Sequence, residues 1–255
     1  MITKNVLNYE KVESPGINKT ESLPLLHGEI DGVKPYHHII APGEQIMLKG
    51  DERIYHILFL IEGCVVLSTD SGMYCMEQKG VFVEAAESDI TISSGSGARV
   101  FEIEKYMSDV DMETKKKYET SFPIIQDYLK CQQYTDFSKT PKTINRIVLE
   151  QENIPRFAMG SVESVGEDYV TPNAHPEIDQ FFFTFPENDT ELIINDETMN
   201  LKGDTLLHIP LGADHGTNLA EGKKMHYLWI DCLVDEKYAD ILKEDHVKLD
   251  EMKSF

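Results

Sequence analysis

The sequence predicts an all-β protein with two tandem barrels or sandwiches, a partly helical connector between them, and a terminal helix. Short β-branched and aromatic runs, divided by turn residues, occupy residues 30–104 and return from about residue 145. The two blocks also carry landmarks in the same order at one sequence offset. The pairs that lie 123 or 124 residues apart are Asp51 and His175, His56 and Gln180, Gly63 and Glu187, and Gly80 and Gly203. We therefore expect a duplicated β-domain.

Changes in composition along the chain give the predicted domain boundaries. Residues 1–106 form the predicted N-terminal barrel. Residues 107–144 are rich in Lys, Glu and Asp, so we expect a partly helical connector that breaks at Pro123. Residues 145–236 form the predicted C-terminal barrel. In residues 237–255, apolar side chains recur at helical spacing among charged ones, which predicts an amphipathic C-terminal helix.

Composition excludes several classes of function. The 255 residues include 24 Lys and Arg against 45 Asp and Glu, a formal net charge of −21. Such a charge disfavours binding to nucleic acid or to an anionic membrane, because both need clustered basic side chains. No apolar run is long enough to span a membrane, and the first residues lack the apolar core of a secretory signal. The four cysteines fit no CxxC pattern, so we expect a cytoplasmic protein without disulfides.

The segment from residue 173 to residue 218 carries the most chemical information. His175 stands just ahead of the apolar run QFFFTF, and His215 follows the turn residues Pro210 and Gly212. Alternate residues of a strand point into a small barrel, so two histidines at strand edges can meet inside it. Two imidazoles with a nearby amide or carboxylate are the ligands that a borderline divalent metal requires.

These residues resemble the motifs of the cupin superfamily. PLGADH at 210–215 matches the Pro-x-Gly-x-x-His half of the second cupin motif, and Gly203 precedes it at one residue more than the usual spacing. The first cupin motif is His-x-His, four residues, Glu, six residues, Gly. Its spacing is kept here, and the residues at those positions are Asn173, His175, Gln180 and Glu187.

The N-terminal block has the frame of the first motif without its ligands. Lys49, Asp51 and His56 stand where His, His and Glu are usual, and the second motif lacks both Pro-x-Gly and His. The resemblance therefore implies a bicupin of two double-stranded β-helix (jelly-roll) barrels, the first without a recognisable metal site. It also implies a homodimer, because cupin barrels commonly pair.

The resemblance implies a site in the C-terminal barrel that holds one divalent metal ion, with Mn, Fe, Ni and Zn as candidates. The predicted metal ligands are His175, His215, Gln180 and Asn173. The predicted catalytic residues are Glu177 and His226, and Asp179 is an alternative base. Glu177 lies two residues from His175, so on an extended segment it shares a face with that histidine and could complete a two-His-one-carboxylate site.

Two functions stay in competition at this point. The first is a metalloprotein that acts on a small polar metabolite, such as a sugar or keto acid, by isomerase- or hydrolase-like chemistry. The second is a non-catalytic cupin that binds a small molecule. A third reading is a structural oligomer without a ligand. Because one fold hosts many functions, the sequence leaves open whether the protein is an enzyme.

Overall fold

The computed structural model describes residues 9–11 and 16–254, so residues 1–8, 12–15 and 255 of the predicted terminal domains lie outside the described part. The chain forms two compact units. The N-terminal unit comprises residues 16–131, and the C-terminal unit comprises residues 9–11 together with residues 132–254. In the described part, no helix is long and apolar enough to cross a membrane.

Nearly all regular structure in the two units is β-strand, which confirms the all-β prediction. The first strand of the chain, β1 at Tyr9–Lys11, belongs to the C-terminal unit. The strands of the N-terminal unit are β2 Glu21–Pro24, β3 Val33–Ile40, β4 Glu44–Leu48, β5 Ile54–Gly63, β6 Val65–Thr69, β7 Gly72–Met76, β8 Gly80–Val83, β9 Ile90–Ser94, β10 Ala98–Tyr106 and β11 Ile124–Asp127. Its helical segments are α1 Asp109–Lys115 and a 3₁₀ turn at Tyr128–Lys130.

The C-terminal unit repeats this composition. Its remaining strands are β12 Gln133–Thr135, β13 Ile144–Ile154, β14 Phe157–Val165, β15 Asp168–Ala174, β16 Ile178–Thr184, β17 Asp189–Ile194, β18 Glu197–Lys202, β19 Thr205–Ile209, β20 Asp214–Leu219, β21 Lys224–Leu233 and β22 Val247–Lys248. Helix α2 covers Tyr238–Asp245. The predicted terminal segment 237–255 therefore contains a two-turn helix and then a short strand.

Each unit packs a large antiparallel sheet against a four-stranded one. The N-terminal sheets have the orders β11-β8-β5-β10-β3-β2 and β4-β9-β6-β7, and the C-terminal sheets have the orders β1-β19-β16-β21-β14-β13-β12-β22 and β15-β20-β17-β18. Strands β3 to β10 therefore occupy the same sheet positions as β14 to β21. Among the described strands, no sheet closes on itself, so two open sheets rather than a closed barrel enclose each core.

Alternation along the strands builds these cores. In the N-terminal unit, Leu58 and Val100 of the large sheet pack with Ile92 of the small sheet. In the C-terminal unit, Phe182 of β16 and Leu192 of β17 belong to one buried cluster that spans both sheets. The apolar side of each sheet is thus turned inward, as expected for facing sheets.

The predicted connector, residues 107–144, is divided between the two units. Helix α1 begins with a capping box in which Ser108 and Asp111 bond each other's backbone N–H groups. Strand β11 pairs with β8 of the N-terminal unit, whereas β12 pairs with β13 of the C-terminal unit. The last residues of this segment are therefore part of the C-terminal unit.

Candidate functional site

A cavity of about 80 Å³ lies inside the C-terminal unit. Its walls come from β12, β14, β16 and β21 of the large sheet, from β15 and β20 of the small sheet, from the loop 136–139, and from the end of α2. All four predicted metal ligands line this one cavity: Asn173, His175, Gln180 and His215. Strand pairing explains part of this convergence, since Asn173 of β15 lies opposite His215 of β20.

His175 and His215 face each other across the cavity. Their ring centroids are 5.6 Å apart. The His215 Nδ1 lies 3.0 Å from the carbonyl oxygen of Ala213, so it carries the proton and donates, and the lone pair remains on Nε2. The Asn173 Nδ2 lies 3.5 Å from His175 Nε2. One imidazole nitrogen of His215 is therefore fixed by the backbone, and its other nitrogen has an acceptor lone pair.

Burial keeps both imidazoles neutral at physiological pH. Desolvation lowers the pKa of His215 to about 4, although the hydrogen bond to the Ala213 carbonyl acts in the opposite direction. Desolvation also lowers the pKa of His175, and the nearby Lys139 ammonium adds to this effect. Neutral imidazole is the form that binds a metal or accepts a hydrogen bond from a ligand.

Gln180 and Asp231 form a buried pair at the wall of the cavity. The two residues lie opposite each other on β16 and β21, and Gln180 Nε2 donates to Asp231 Oδ1 at 2.7 Å. Gln180 Oε1 is buried without a hydrogen-bond partner. Burial raises the pKa of Asp231 to about 7, against the opposing effect of the Gln180 hydrogen bond. Asp231 therefore exchanges a proton near neutral pH.

Aromatic rings form another wall of the cavity. The ring centroid of His246 lies 4.2 Å from that of Tyr134 and 5.5 Å from that of Trp229. Phe182 stacks on Tyr227 with centroids 4.6 Å apart. Desolvation lowers the pKa of His246 to about 4, so this ring is also neutral. The wall thus combines flat apolar faces with polar edges.

One ion pair lies at the edge of the cavity. Lys139 Nζ pairs with Asp136 Oδ2, and both side chains are largely buried. Burial alone would raise the pKa of Asp136, but Lys139 and the Ser138 hydrogen bonds hold it below its usual value. Lys139 also lies over the Tyr134 ring, 5.5 Å from its centroid. The ammonium group is therefore neutralised within the wall.

The structure does not bring the predicted catalytic residues to this cavity. His226 lies on the side of β21 opposite Tyr227 and Trp229, and its Nδ1 contacts Glu187 Oε1 at 2.6 Å. Glu177 is half-buried outside the cavity lining, and its carbonyl accepts a hydrogen bond from the backbone of Val234. The alternative base Asp179 pairs with His208 instead, Oδ1 to Nε2 at 2.7 Å.

Four cavity residues escaped the sequence analysis as site residues. Asp231 was not among the predicted site residues, although a carboxylate inside the apolar run LWIDCL is itself a signal of an unusual environment. Tyr134, Lys139 and His246 come from the connector and the tail. These segments carry no motif. Tyr134 and His246 reach the cavity through the pairing of β12 with β13 and β22, and Lys139 reaches it through a backbone bridge to Val170.

The donor atoms of the cavity do not fit the three-His-one-Glu metal set of the cupin motifs. His175 and His215 supply two imidazoles, whereas Gln180 and Asn173 supply neutral amides. Asp231 is bonded to Gln180, and burial raises its pKa to about 7, so it is only partly ionised at neutral pH. Across the described residues, no group of three or more His, Cys, Asp or Glu side chains is arranged to hold a metal ion. A neutral set of this kind binds divalent ions weakly.

The N-terminal unit holds a closed polar cluster in its interior. Glu102 accepts from His38 Nε2 at 2.5 Å, and its other oxygen contacts His56 Nδ1. His38 Nδ1 lies 2.7 Å from Ser22 Oγ, and His56 Nε2 donates to the Lys49 carbonyl at 3.0 Å. Every nitrogen of the two imidazoles is thus engaged. His56 is therefore a buried histidine whose two ring nitrogens both have hydrogen-bond partners.

No protein-family model and no curated protein matches the chain. Solved structures do match it. A cupin 2 conserved barrel domain protein from Leptotrichia buccalis aligns with a TM-score of 0.60 at 12% identity, over 84% of this chain and 89% of that chain. An oxalate decarboxylase formate complex from Lactobacillus farciminis aligns with a TM-score of 0.67 at 11% identity, over 91% of this chain and 87% of that chain. An IolB-like protein from Salmonella typhimurium LT2 aligns with a TM-score of 0.64 at 11% identity, over 80% of this chain and 84% of that chain. Likeness at this identity shows the fold alone, and the chain therefore has a cupin-type fold.

Proposed function

We propose that the C-terminal unit binds one small polar metabolite in the cavity between His175 and His215. The observation that carries this proposal is Gln180, which lines the cavity and whose side-chain oxygen is buried without a hydrogen-bond partner. A buried polar atom without a hydrogen bond destabilises a fold by about 1–3 kcal/mol, so its retention in a cavity points to a ligand. Enclosure among aromatic rings with a few polar groups is typical of small-molecule sites.

We further propose that both units are cupin domains, which makes the chain a bicupin. The support is the common strand order of β3 to β10 and β14 to β21. The N-terminal unit fills its interior with His38, Glu102 and His56, whose polar groups satisfy one another. In this proposal the ligand binds in the C-terminal unit, and the N-terminal unit binds no ligand in its interior.

Isomerase- or hydrolase-like turnover of the bound metabolite is the second candidate function. Asp231 favours it, because a buried carboxyl group with a pKa of about 7 gives or takes a proton near neutral pH. His175 and His215 are the residues that would contribute to a divalent metal ion, and such an ion polarises a carbonyl or hydroxyl oxygen when bound. The poor fit of the donor set places this candidate second.

Two measurements on one pair of proteins test these functions. Wild-type protein and a His175→Ala/His215→Ala variant are purified without added metal or chelator. Metal content is measured first, and a panel of sugars, polyols, keto acids and amines is then screened by thermal shift. We expect at least one compound to stabilise the wild type and not the variant, and less than one equivalent of metal in both.

The outcomes separate the two candidates. Absence of any stabilising compound would overturn ligand binding in the cavity. One equivalent of Mn, Fe, Ni or Zn in the wild type that disappears in the variant would instead support the metalloprotein. Circular dichroism of both proteins is the control that the double variant keeps its fold.

A further inference from the structure

Acidic side chains outnumber basic ones in the described lining of the cavity, where Asp136, Asp231 and Asp245 stand against Lys139. In the described residues of the lining, Lys139 is the only Lys or Arg, and it is paired with Asp136. A carboxylate or phosphate ligand would therefore lose its hydration without gaining a cation, which is strongly unfavourable.

The polar edges of the cavity offer both donors and acceptors. Gln180 Oε1 is an acceptor without a partner, Trp229 Nε1 is a donor without a partner, and His246 Nδ1 is a third unpartnered atom. The Tyr134 hydroxyl is a neighbour of the Trp229 indole, but their geometry falls short of a hydrogen bond. A hydroxyl group donates and accepts at once, so it matches this mixture better than a pure acceptor such as a carboxylate.

The volume of the cavity limits the size of the ligand. One water-sized group needs about 10–15 Å³ on the scale in which this cavity measures about 80 Å³. The space thus admits roughly five to eight non-hydrogen atoms. Glycerol and the four-carbon tetritols have this number of atoms, and the rings of Phe182 and Trp229 offer flat faces for their C–H groups.

We propose that the ligand of this cavity is an uncharged polyhydroxy compound of three or four carbons, with its hydroxyl groups bonded to Gln180 Oε1, Trp229 Nε1 and His246 Nδ1. This inference rests on the proposed function, since it names the chemical class of the metabolite. It also gives the C-terminal tail a role, because His246 directly follows α2 and places one of the three polar atoms.

The chain contains a single tryptophan, Trp229, so its fluorescence reports directly on this cavity. Erythritol, threitol and glycerol are titrated against emission, next to butane-1,4-diol, malonate and ethanolamine. Butane-1,4-diol keeps the length of erythritol and lacks its two central hydroxyl groups. We expect saturable emission changes with a tetritol, and binding of the diol, the acid and the amine weaker by at least about tenfold. N-acetyltryptophanamide is the control for solvent effects of the polyols.

A variant test locates the hydroxyl contacts. His246→Phe keeps an aromatic ring and removes the Nδ1 atom, and we expect tetritol affinity to fall by about tenfold or more. The matched control is His27→Phe, at an exposed histidine of the N-terminal unit whose ring contacts Tyr36 and the Pro35 carbonyl. We expect unchanged affinity there.

The possible failures are distinct. If malonate or ethanolamine binds more tightly than the tetritols, the cavity binds a metabolite of another class, so the inference falls and the proposed function stands. Equal binding of erythritol and butane-1,4-diol would also overturn the inference, because it removes the hydroxyl contacts. If no compound in the wider panel changes Trp229 emission or melting temperature, both the inference and the proposed function fail.

Discussion

Asp231 shows how one residue acquires a property that its type alone does not have. It shares the inward side of β21 with Tyr227 and Trp229, and it accepts a hydrogen bond from Gln180 Nε2. Burial in this apolar strand disfavours the carboxylate, which raises the pKa to about 7. In the unfolded chain the same carboxyl group ionises near its usual value of 3.8. The difference couples folding to pH.

Asp231→Asn is expected to stabilise the protein at alkaline pH. Between pH 4 and pH 7 the folded state holds a proton that the unfolded state has lost, so the Asp231 contribution to stability falls as pH rises through this range. Of the full difference of about three pKa units, about two are lost between pH 5 and pH 8, which corresponds to about 3 kcal/mol. Urea unfolding of both proteins at pH 5 and pH 8 measures it. An equal difference between variant and wild type at the two pH values would contradict the prediction.

Glu102 is the opposite case, a buried carboxylate that its neighbours keep charged. Burial alone would raise its pKa, but hydrogen bonds from His38 and His56 hold the pKa below 4.5. Burial alone would lower the pKa of His56, but Glu102 raises it above 6.5. The contribution of Glu102 to the free energy of unfolding is lost as pH falls below about 4.5. The contribution of His56 to the same free energy is lost as pH rises above about 6.5. The pair thus stabilises the fold most between these values.

Glu102→Gln is therefore expected to destabilise the N-terminal unit by about 3 kcal/mol near pH 6, because it removes one member of a buried charged pair. The loss is expected to be smaller at pH 9, where the His56 contribution declines in the wild type. Urea unfolding at the two pH values measures both numbers. A loss that grows from pH 6 to pH 9 would show that the cluster is not held by ionic hydrogen bonds.

At the scale of elements, the pairing of β14 with β21 sets the position of the cavity wall. Gly160 lies opposite Trp229, and a Cβ atom at Gly160 would stand 2.1 Å from Trp229 Cζ2 and 2.5 Å from the Arg146 carbonyl oxygen. The missing side chain therefore leaves the space that the indole ring occupies. The backbone of β13 is held in the sheet by its pairing with β14, whereas the indole borders the cavity and can move.

Gly160→Ala is accordingly expected to displace Trp229 and to destabilise the C-terminal unit by about 2 kcal/mol. The displacement is read from the emission maximum of Trp229, and the stability from urea unfolding. Gly95→Ala is the control, since an added Cβ there meets no atom within 4 Å. Unchanged emission in Gly160→Ala would mean that β14 shifts instead of the indole, and the prediction would then be wrong.

At this same scale, the sequence predicted the elements that carry the motif and missed those that close the cavity. The spacing of Gln180 and His215 was sufficient to place them in the cavity, because β16 and β20 are continuous strands whose alternation fixes the facing of each side chain. His175 lies one residue beyond the end of β15, where its carbonyl accepts hydrogen bonds from the backbone of Ile178 and Gly212. Strand β12 has three residues and β22 has two, so both are too short to show the alternation of apolar and polar residues that predicts a strand. Their partners are remote in sequence, and the positions of Tyr134 and His246 depend on that long-range pairing.

At the scale of the whole molecule, landmarks that recur at one offset predicted a repeat, and the two units have the same strand order over β3 to β10 and β14 to β21. Asp51 and His175 differ in chemistry, yet both lie just before the strand that carries the next landmark, β5 or β16. The two units therefore share a strand order although the residues at corresponding positions differ. The interiors were not predictable in the same way: the N-terminal unit packs His38, His56 and Glu102 where the C-terminal unit keeps a cavity, and these are contacts between residues up to 64 positions apart.

The net negative charge is a property of the entire chain that affects its stability. Even if every Lys and Arg paired with one acid, 45 − 24 = 21 carboxylates would remain without a basic partner. Exposed pairs such as Lys49 with Asp89 contribute little, so repulsion among the surplus carboxylates dominates the surface electrostatics. Salt screens such repulsion over the Debye length, which shortens from roughly 20 Å at 0.02 M to below 10 Å at 0.2 M.

Raising NaCl from 0.02 M to 0.2 M at pH 7 is expected to increase the free energy of unfolding, by about 1 kcal/mol. Urea is the required denaturant, because guanidinium chloride is itself a salt. KCl in place of NaCl should give the same increase, since screening does not depend on the cation. The effect should shrink at pH 4.7, the calculated isoelectric point, where attraction and repulsion balance. A fall in stability with salt at pH 7 would mean that favourable ion pairs outweigh the surplus negative charge, contrary to the count of carboxylates.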